Sequence, residues 1–251
     1  MGMINGYFYP MFPRLKNAIA ASLLLQILLV AWLARHPDWV ETYYSQGIYP
    51  YIAVFFRTLY GWIPFSVGDV FYFLLGTLGL GYLIRKRHWI LHHPWSFLRD
   101  VLIVLSIVHF SFYLLWGMNY FRQPLSKSFG MKETYTTEEL IRLTSHLAIR
   151  TNSLQESLAG DSLQPVKIPQ NRREIRLETI DAYAALSGDF PKLQYQTSSL
   201  KPSLFSTALS YMGYGGYLNP FTGEAQVNNR LPLFRYPVVC GHEIGHQLGY
   251  S

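Results

Sequence analysis

Three long apolar runs set the first half of the chain apart from the second. They cover Ala18–Ala34, Val67–Ile84 and Val101–Trp116, and the last continues through Gly117 and Met118 to Tyr120. A helix that crosses a bilayer needs ~17–25 such residues. The pattern therefore predicts three transmembrane helices, at about 18–34, 67–84 and 101–118, in a membrane region covering residues 1–120. Arg14, Lys16 and Arg35 bracket the first run, Arg85-Lys86-Arg87 closes the second, and Arg99 precedes the third. No small-residue cleavage site follows the first run, only His36-Pro37-Asp38-Trp39, so it reads as an uncleaved span rather than a signal peptide.

Between the first two runs, residues 48–63 are apolar but too short to cross a bilayer, and Pro50 and Arg57 interrupt them. With Tyr51, Tyr60 and Trp62 they suit a helix lying at headgroup level, or equally a cap over the bundle. Polar residues within the runs are few. Asp69 is expected as a solvated carboxylate at a helix start, and His109 as a hydrogen-bond partner for a neighbouring helix. Gly76, Gly79 and Gly81 permit close helix approach.

After residue 120 the period changes, and 121–251 reads as a domain of mixed helix and strand. Thr136 and Glu139 have the spacing of a capping box, and Leu140, Ile141, Leu143, Leu147 and Leu154 recur at helical intervals to about Leu158. A second helix is expected from Arg173 to Leu186, stopped by Gly188. Both are assigned scaffold roles. A short helix is expected from Ser203, carrying Leu204, Phe205 and Leu209. Asn219-Pro220-Phe221-Thr222-Gly223 is turn chemistry, so a hairpin is predicted with one strand ending near Leu218 and the other spanning Glu224 to Asn228. A last helix begins around Val238.

Composition strengthens the membrane reading. The chain is 50% hydrophobic and only 14% charged, against about 25% charged in a typical soluble domain. Its net charge of +6 is spread beside the apolar runs and forms no Lys/Arg stripe with interleaved aromatics, which argues against nucleic acid as a partner. The Lys/Arg bias puts the N-terminus and the 85–99 loop in the cytoplasm and the 121–251 domain outside it. The single cysteine, Cys240, excludes an internal disulfide and reads as a small core residue rather than a ligand.

The definite chemical signal is H-E-x-x-H at His242, Glu243 and His246. On a helix, residues four apart lie on one face, so both imidazoles reach one zinc ion. Glu243, on a neighbouring edge, is placed to act as general base on a water. Val238, Val239, Ile244 and Leu248 supply the apolar face of that helix. A catalytic zinc needs a third protein ligand, and Glu224 or Cys240 upstream would break the usual geometry. Because the chain stops at Ser251, five residues after His246, a fragment of a longer protease is the expectation. By analogy with zincin proteases, which lay substrate against an edge strand, Glu224, Ala225, Gln226, Val227 and Asn228 are the candidate substrate-binding residues. An intramembrane protease fits less well, because Pro232, Arg235 and Pro237 leave too short an apolar run before His242.

Several stretches together resemble a bacterial membrane-protein family known as domain of unknown function 3810, a zincin-like group. They are Gly47-Ile48-Tyr49-Pro50, Gly61-Trp62-Ile63-Pro64-Phe65-Ser66 with Gly68-Asp69, Trp116-Gly117-Met118-Asn119-Tyr120, Lys201-Pro202-Ser203, Asn219–Ala225 and His242–Gln247. The resemblance implies several membrane helices followed by a zinc peptidase domain, and a continuation in which an acidic residue gives the third ligand. The fold expected is thus an α-helical membrane region of three transmembrane helices, then an α+β zincin-like extracytoplasmic domain. The function expected is a zinc metallopeptidase, multi-pass in the bacterial cytoplasmic membrane. Its partners would be the lipid bilayer and a peptide or protein substrate. The alternative is a non-catalytic scaffold or receptor with a degenerate zincin domain.

Overall fold

The computed structural model describes residues 13–132 and 134–251; residues 1–12, the start of the expected membrane region, lie outside it. Helix α1 (Pro13–Leu33) leads to a short α2 (Pro37–Trp39), a π-helical stretch (Val40–Ile48) and α3 (Tyr49–Tyr60). Two long helices follow, α4 (Val67–His92) and α5 (Pro94–Leu115). α1, α4 and α5 are long and apolar enough to cross a bilayer, which suggests a membrane protein. α4 outruns the expected Ile84 because Arg85-Lys86-Arg87 are good helix formers and carry it past the apolar run. α5 starts earlier than expected because Pro94 is pre-set for a first helical turn.

α1 and α5 pack side by side along a polar seam. Ser22 and Ser106 share a 2.9 Å hydrogen bond, Gln26 Nε2 donates to Ser106 Oγ at 2.9 Å, and His109 Nδ1 donates to Gln26 Oε1 at 3.0 Å. Such bonds join helices where burial of apolar surface gives no drive. His109 is therefore a helix–helix contact. Gly76, Gly79 and Gly81 face open space, so no close approach uses them within the described residues.

A 3-10 turn (Gly117–Phe121) and α6 (Leu125–Ser128) lead to α7 (Thr137–Ala159). The capping box at Thr136 and Glu139 forms, and Gly160 ends the helix at φ 73°. α7 buries none of its residues, so its expected scaffold role is not realised within the described chain. α8 (Arg172–Asp189) does serve as a scaffold: Tyr183 Oη donates to the Gly241 carbonyl at 2.8 Å. Gly188 lies inside α8 rather than ending it.

The sheet is small and mixed. β1 (Leu200–Pro202), β2 (Gly216–Leu218) and β3 (Ala225–Val227) lie in the order β1-β3-β2. β3 runs parallel to β1, with Leu200 opposite Ala225, and antiparallel to β2, with Gly216 opposite Val227. The expected hairpin is present; β1, too short and too polar to show an alternation, was not expected. α9 (Ser206–Met212) begins three residues after the expected Ser203, whose side chain instead accepts from Phe205 N at 3.0 Å and donates to Asp69. α10 (Tyr236–Gln247) packs on the sheet. Leu200, Ala225, Val227, Tyr236, Cys240 and Ile244 form the core with Ile175 and Tyr195. Each large apolar side chain fully buried there contributes roughly 1.5–3 kcal/mol.

The long apolar helices and the sheet are bound together at the start of α4. Ser66 caps α4 by accepting from Asp69 N at 3.0 Å, and Gln226 donates to the same hydroxyl at 2.9 Å. Asp69 is fully buried, contrary to the expected solvated carboxylate. It accepts from Ser203 Oγ at 3.0 Å, from Leu204 N at 2.6 Å and from Tyr217 Oη. Glu224 accepts from Val67 N at 3.1 Å, Gly68 N at 2.5 Å, Thr222 Oγ1 at 2.9 Å and Lys201 Nζ at 2.5 Å. A carboxylate on the free N–H groups of a helix start is favoured by hydrogen bonding and by the helix dipole together. Gly68 is needed at this joint because a Cβ there would sit 2.4 Å from Asn219 Nδ2.

Candidate metal centre

α10 opens with Pro237 in its first turn and places His242, Glu243 and His246 over the cleft beside β2. One potential ligand atom from each lies within 4.8 Å of the others, and the two imidazole centroids are 4.4 Å apart. Among the described residues no further His, Cys, Asp or Glu joins this cluster. Cys240 is buried in the core beneath it, and its thiol is pushed up to about 12 by burial.

The end of α10 sets the state of His246. Gly249 takes φ 83°, its N–H donates to the His246 carbonyl at 3.0 Å, and Tyr250 N donates to the Gly245 carbonyl at 3.0 Å. This double closure is a Schellman motif. It turns the Tyr250 carbonyl back to accept from His246 Nδ1 at 2.7 Å. A carbonyl only accepts, so Nδ1 carries the proton and Nε2 keeps a bare lone pair. Burial lowers the His246 pKa from its ordinary value, against the Tyr250 bond and with help from His242. In the neutral ring the Tyr250 bond thus selects the tautomer with Nε2 unprotonated.

Gly249 is obligatory on a second count, since a Cβ there would meet Tyr49 Cε1 at 2.9 Å and Asn119 Oδ1 at 3.0 Å. Arg122 grips Glu41 with Nε at 2.9 Å and Nη2 at 2.7 Å, and donates Nη1 to the Leu248 and Gly249 carbonyls. A cation at a helix C-terminus complements its dipole.

Glu243 lies under β2 and is nearly fully buried. Its Oε2 has no hydrogen-bond partner, and burial pushes its pKa up to about 8. A cation within a few Å would reverse that shift. Gly216 lets the strand pass this close: a Cβ would lie 2.7 Å from Glu243 Oε1 and 2.6 Å from the Gln226 carbonyl. The cleft above has a volume of about 370 Å³. β2 forms one wall, and Phe112, Trp116 and Tyr120 at the end of α5 form the other. Trp116 Nε1 donates to the His246 carbonyl at 2.8 Å, and its ring stands edge-on to the imidazole at 5.9 Å.

The expected substrate strand is in the wrong place. Ala225–Val227 is the central strand, hydrogen-bonded on both sides, so it has no free edge to offer a peptide. Glu224, Ala225, Gln226, Val227 and Asn228 are all buried. Both Glu224 oxygens are hydrogen-bonded, to the start of α4, Thr222 and Lys201. The edge strand that borders the cleft is Gly216–Leu218. The run Gly213-Tyr214-Gly215-Gly216 was the available signal, since glycine inside a strand often marks a close approach. No sequence pattern pointed to Trp116 or Arg122 as neighbours of α10.

The family profile described as "protein of unknown function (DUF3810)" matches residues 44–251. The chain belongs to that family. No curated protein and no solved structure matches it.

Proposed function

We propose that this protein is a membrane-anchored zinc metallopeptidase that hydrolyses peptide bonds in peptides or envelope proteins. The observation that carries the reading is the convergence of His242, Glu243 and His246 in a cleft, with one carboxylate oxygen buried and unpartnered. The donor set suits the metal: His246 Nε2 and a His242 ring nitrogen would hold it, and the Tyr250 carbonyl fixes the first of these. Zinc bound there would supply a Lewis acid that polarises a scissile carbonyl and acidifies water.

The remaining chemistry belongs to the chain. The Glu243 carboxylate takes a proton from the attacking water and returns it to the leaving amide nitrogen. β2, through its free edge at Gly216–Leu218, aligns an extended peptide by main-chain hydrogen bonds. Trp116 and Tyr120 close the other side and limit water. Phe112 and Trp116 lie at the end of a helix of membrane-spanning length, which supports substrates whose cleaved segment is close to the membrane. The distribution of Lys and Arg supports an extracytoplasmic site in the cytoplasmic membrane.

Glu243→Gln tests this reading. Zinc content is expected to stay at one equivalent while peptide hydrolysis falls by a factor of about 10²–10⁴. Undiminished hydrolysis in the variant overturns the assignment. A cluster of only two imidazoles favours the rival reading, a non-catalytic scaffold, and less than one equivalent of zinc in the purified protein would establish that rival.

A further inference from the structure

A second cavity lies on the far side of α10 from the cleft, between α3 and the segment 190–196, with a volume of about 330 Å³. Two arginines line it, and their situations differ. Arg122 is neutralised by Glu41. Arg57 is only 4% exposed and makes no ion pair among the described residues. Its Nε donates to the Ala53 carbonyl one turn back at 3.2 Å, and its charge lies 5.0 Å from the Tyr195 ring centroid. Its Nη1 is buried and has no hydrogen-bond partner among the described residues. No Asp or Glu lines the cavity, while Lys192 stands exposed at its mouth.

A buried guanidinium without a counter-charge is unfavourable, because its lost hydration is not replaced. The Ala53 carbonyl and the Tyr195 ring replace only part of that hydration, so a bound anion would complete it. We propose that Arg57 and Lys192 form a binding site for a phosphate group, carried by a lipid headgroup or by a soluble phosphorylated molecule. A phosphate can accept from the guanidinium and still has oxygens for an ammonium and for amide donors such as Gln194 and Gln196. The mouth is two-faced: Lys192 and the glutamines on one side, Pro50 and Val54 on the other. Pro50 and Val54 are continuous with the exposed apolar side of α3, where Tyr51 and Phe55 stand. That shape suits a molecule with a charged head and an apolar tail.

The test measures thermal unfolding of the full chain in neutral detergent. Phosphatidylglycerol and sn-glycerol 3-phosphate serve as probes, with diacylglycerol as the phosphate-free control. At a hundredfold excess over Kd, a phosphate ligand is expected to raise Tm by roughly 5–10 °C. A rise with the lipid alone assigns the site to headgroups, a rise with glycerol 3-phosphate alone assigns it to soluble phosphates, and diacylglycerol gives none. Arg57→Gln is expected to abolish the rise while leaving the ligand-free Tm equal to or above that of the parent. Lys192→Ala, at an exposed position that folding does not need, is expected to weaken binding by roughly two- to fivefold. The proposal is overturned if neither phosphate raises Tm, if diacylglycerol does so equally, or if both variants keep the full shift.

Discussion

The start of α4 and the middle of α10 both bury carboxylates against the same sheet, with opposite results. At α4, Glu224 receives four hydrogen bonds, one of them from a buried lysine, and Asp69 receives three. At α10, Glu243 keeps an oxygen with no partner. A satisfied buried carboxylate holds elements together, whereas an unsatisfied one costs stability and is retained for what it can do. The contrast separates satisfied from unsatisfied acids on one sheet, and it places Asp69 among the buried ones rather than in solvent as expected.

The largest effect on stability is expected from breaking the satisfied side. Glu224→Ala strands the Lys201 ammonium and frees the α4 N–H groups, a loss of about 3–5 kcal/mol. Denaturant unfolding in detergent measures it, and a loss under about 1 kcal/mol would make the joint incidental. Gly216→Ala is expected to cost about 1–3 kcal/mol, because the new Cβ meets the Gln226 carbonyl and Glu243 Oε1. It should also lower peptidase activity, whereas Gly76→Ala, facing open space, should alter neither. On the unsatisfied side, Glu243→Gln should leave unfolding within about 1 kcal/mol of the parent or raise stability, while activity is lost. A strongly destabilised Glu243→Gln would erase the distinction between the two sites.

The smallest effect concerns the clamp at the end of α10. Burial raises the Glu41 pKa, but the bonds and charge of Arg122 outweigh it and hold the carboxyl below its ordinary value of 4.5. A depressed folded pKa gives stability that is present above the unfolded pKa and lost as pH falls through the folded one. The parent should therefore exceed Glu41→Gln in Tm at neutral pH, and the two should converge in acid below the ordinary carboxylate range. A difference that persists unchanged into strong acid would exclude the ion pair as its source.

Much of this was legible along the chain, for reasons of range. Apolar runs report membrane-length helices because span length is a local property. The Thr136–Glu139 box and the Asn219–Gly223 turn were readable because caps and turns are closed by residues two to three apart. The pairing of His242 with His246 follows from helical spacing alone. β1 was missed because three residues carry no period, and α7 was misjudged because an apolar stripe does not reveal whether anything covers it.

By itself, then, the sequence determined the three long helices, the hairpin and the two imidazoles on one face of α10, all products of contacts within a few residues. Only the tertiary structure decided which strand borders the cleft, since β3 becomes central when β1 pairs with it from 25 positions upstream, next to the Lys201–Glu224 ion pair. It also decided that Asp69 and Glu224 tie α4 to the sheet, that the Tyr250 carbonyl sets the His246 tautomer, and that Arg57 has no counter-charge among the described residues. Each depends on which groups meet across long separations, and therefore on which charges are satisfied in the folded chain.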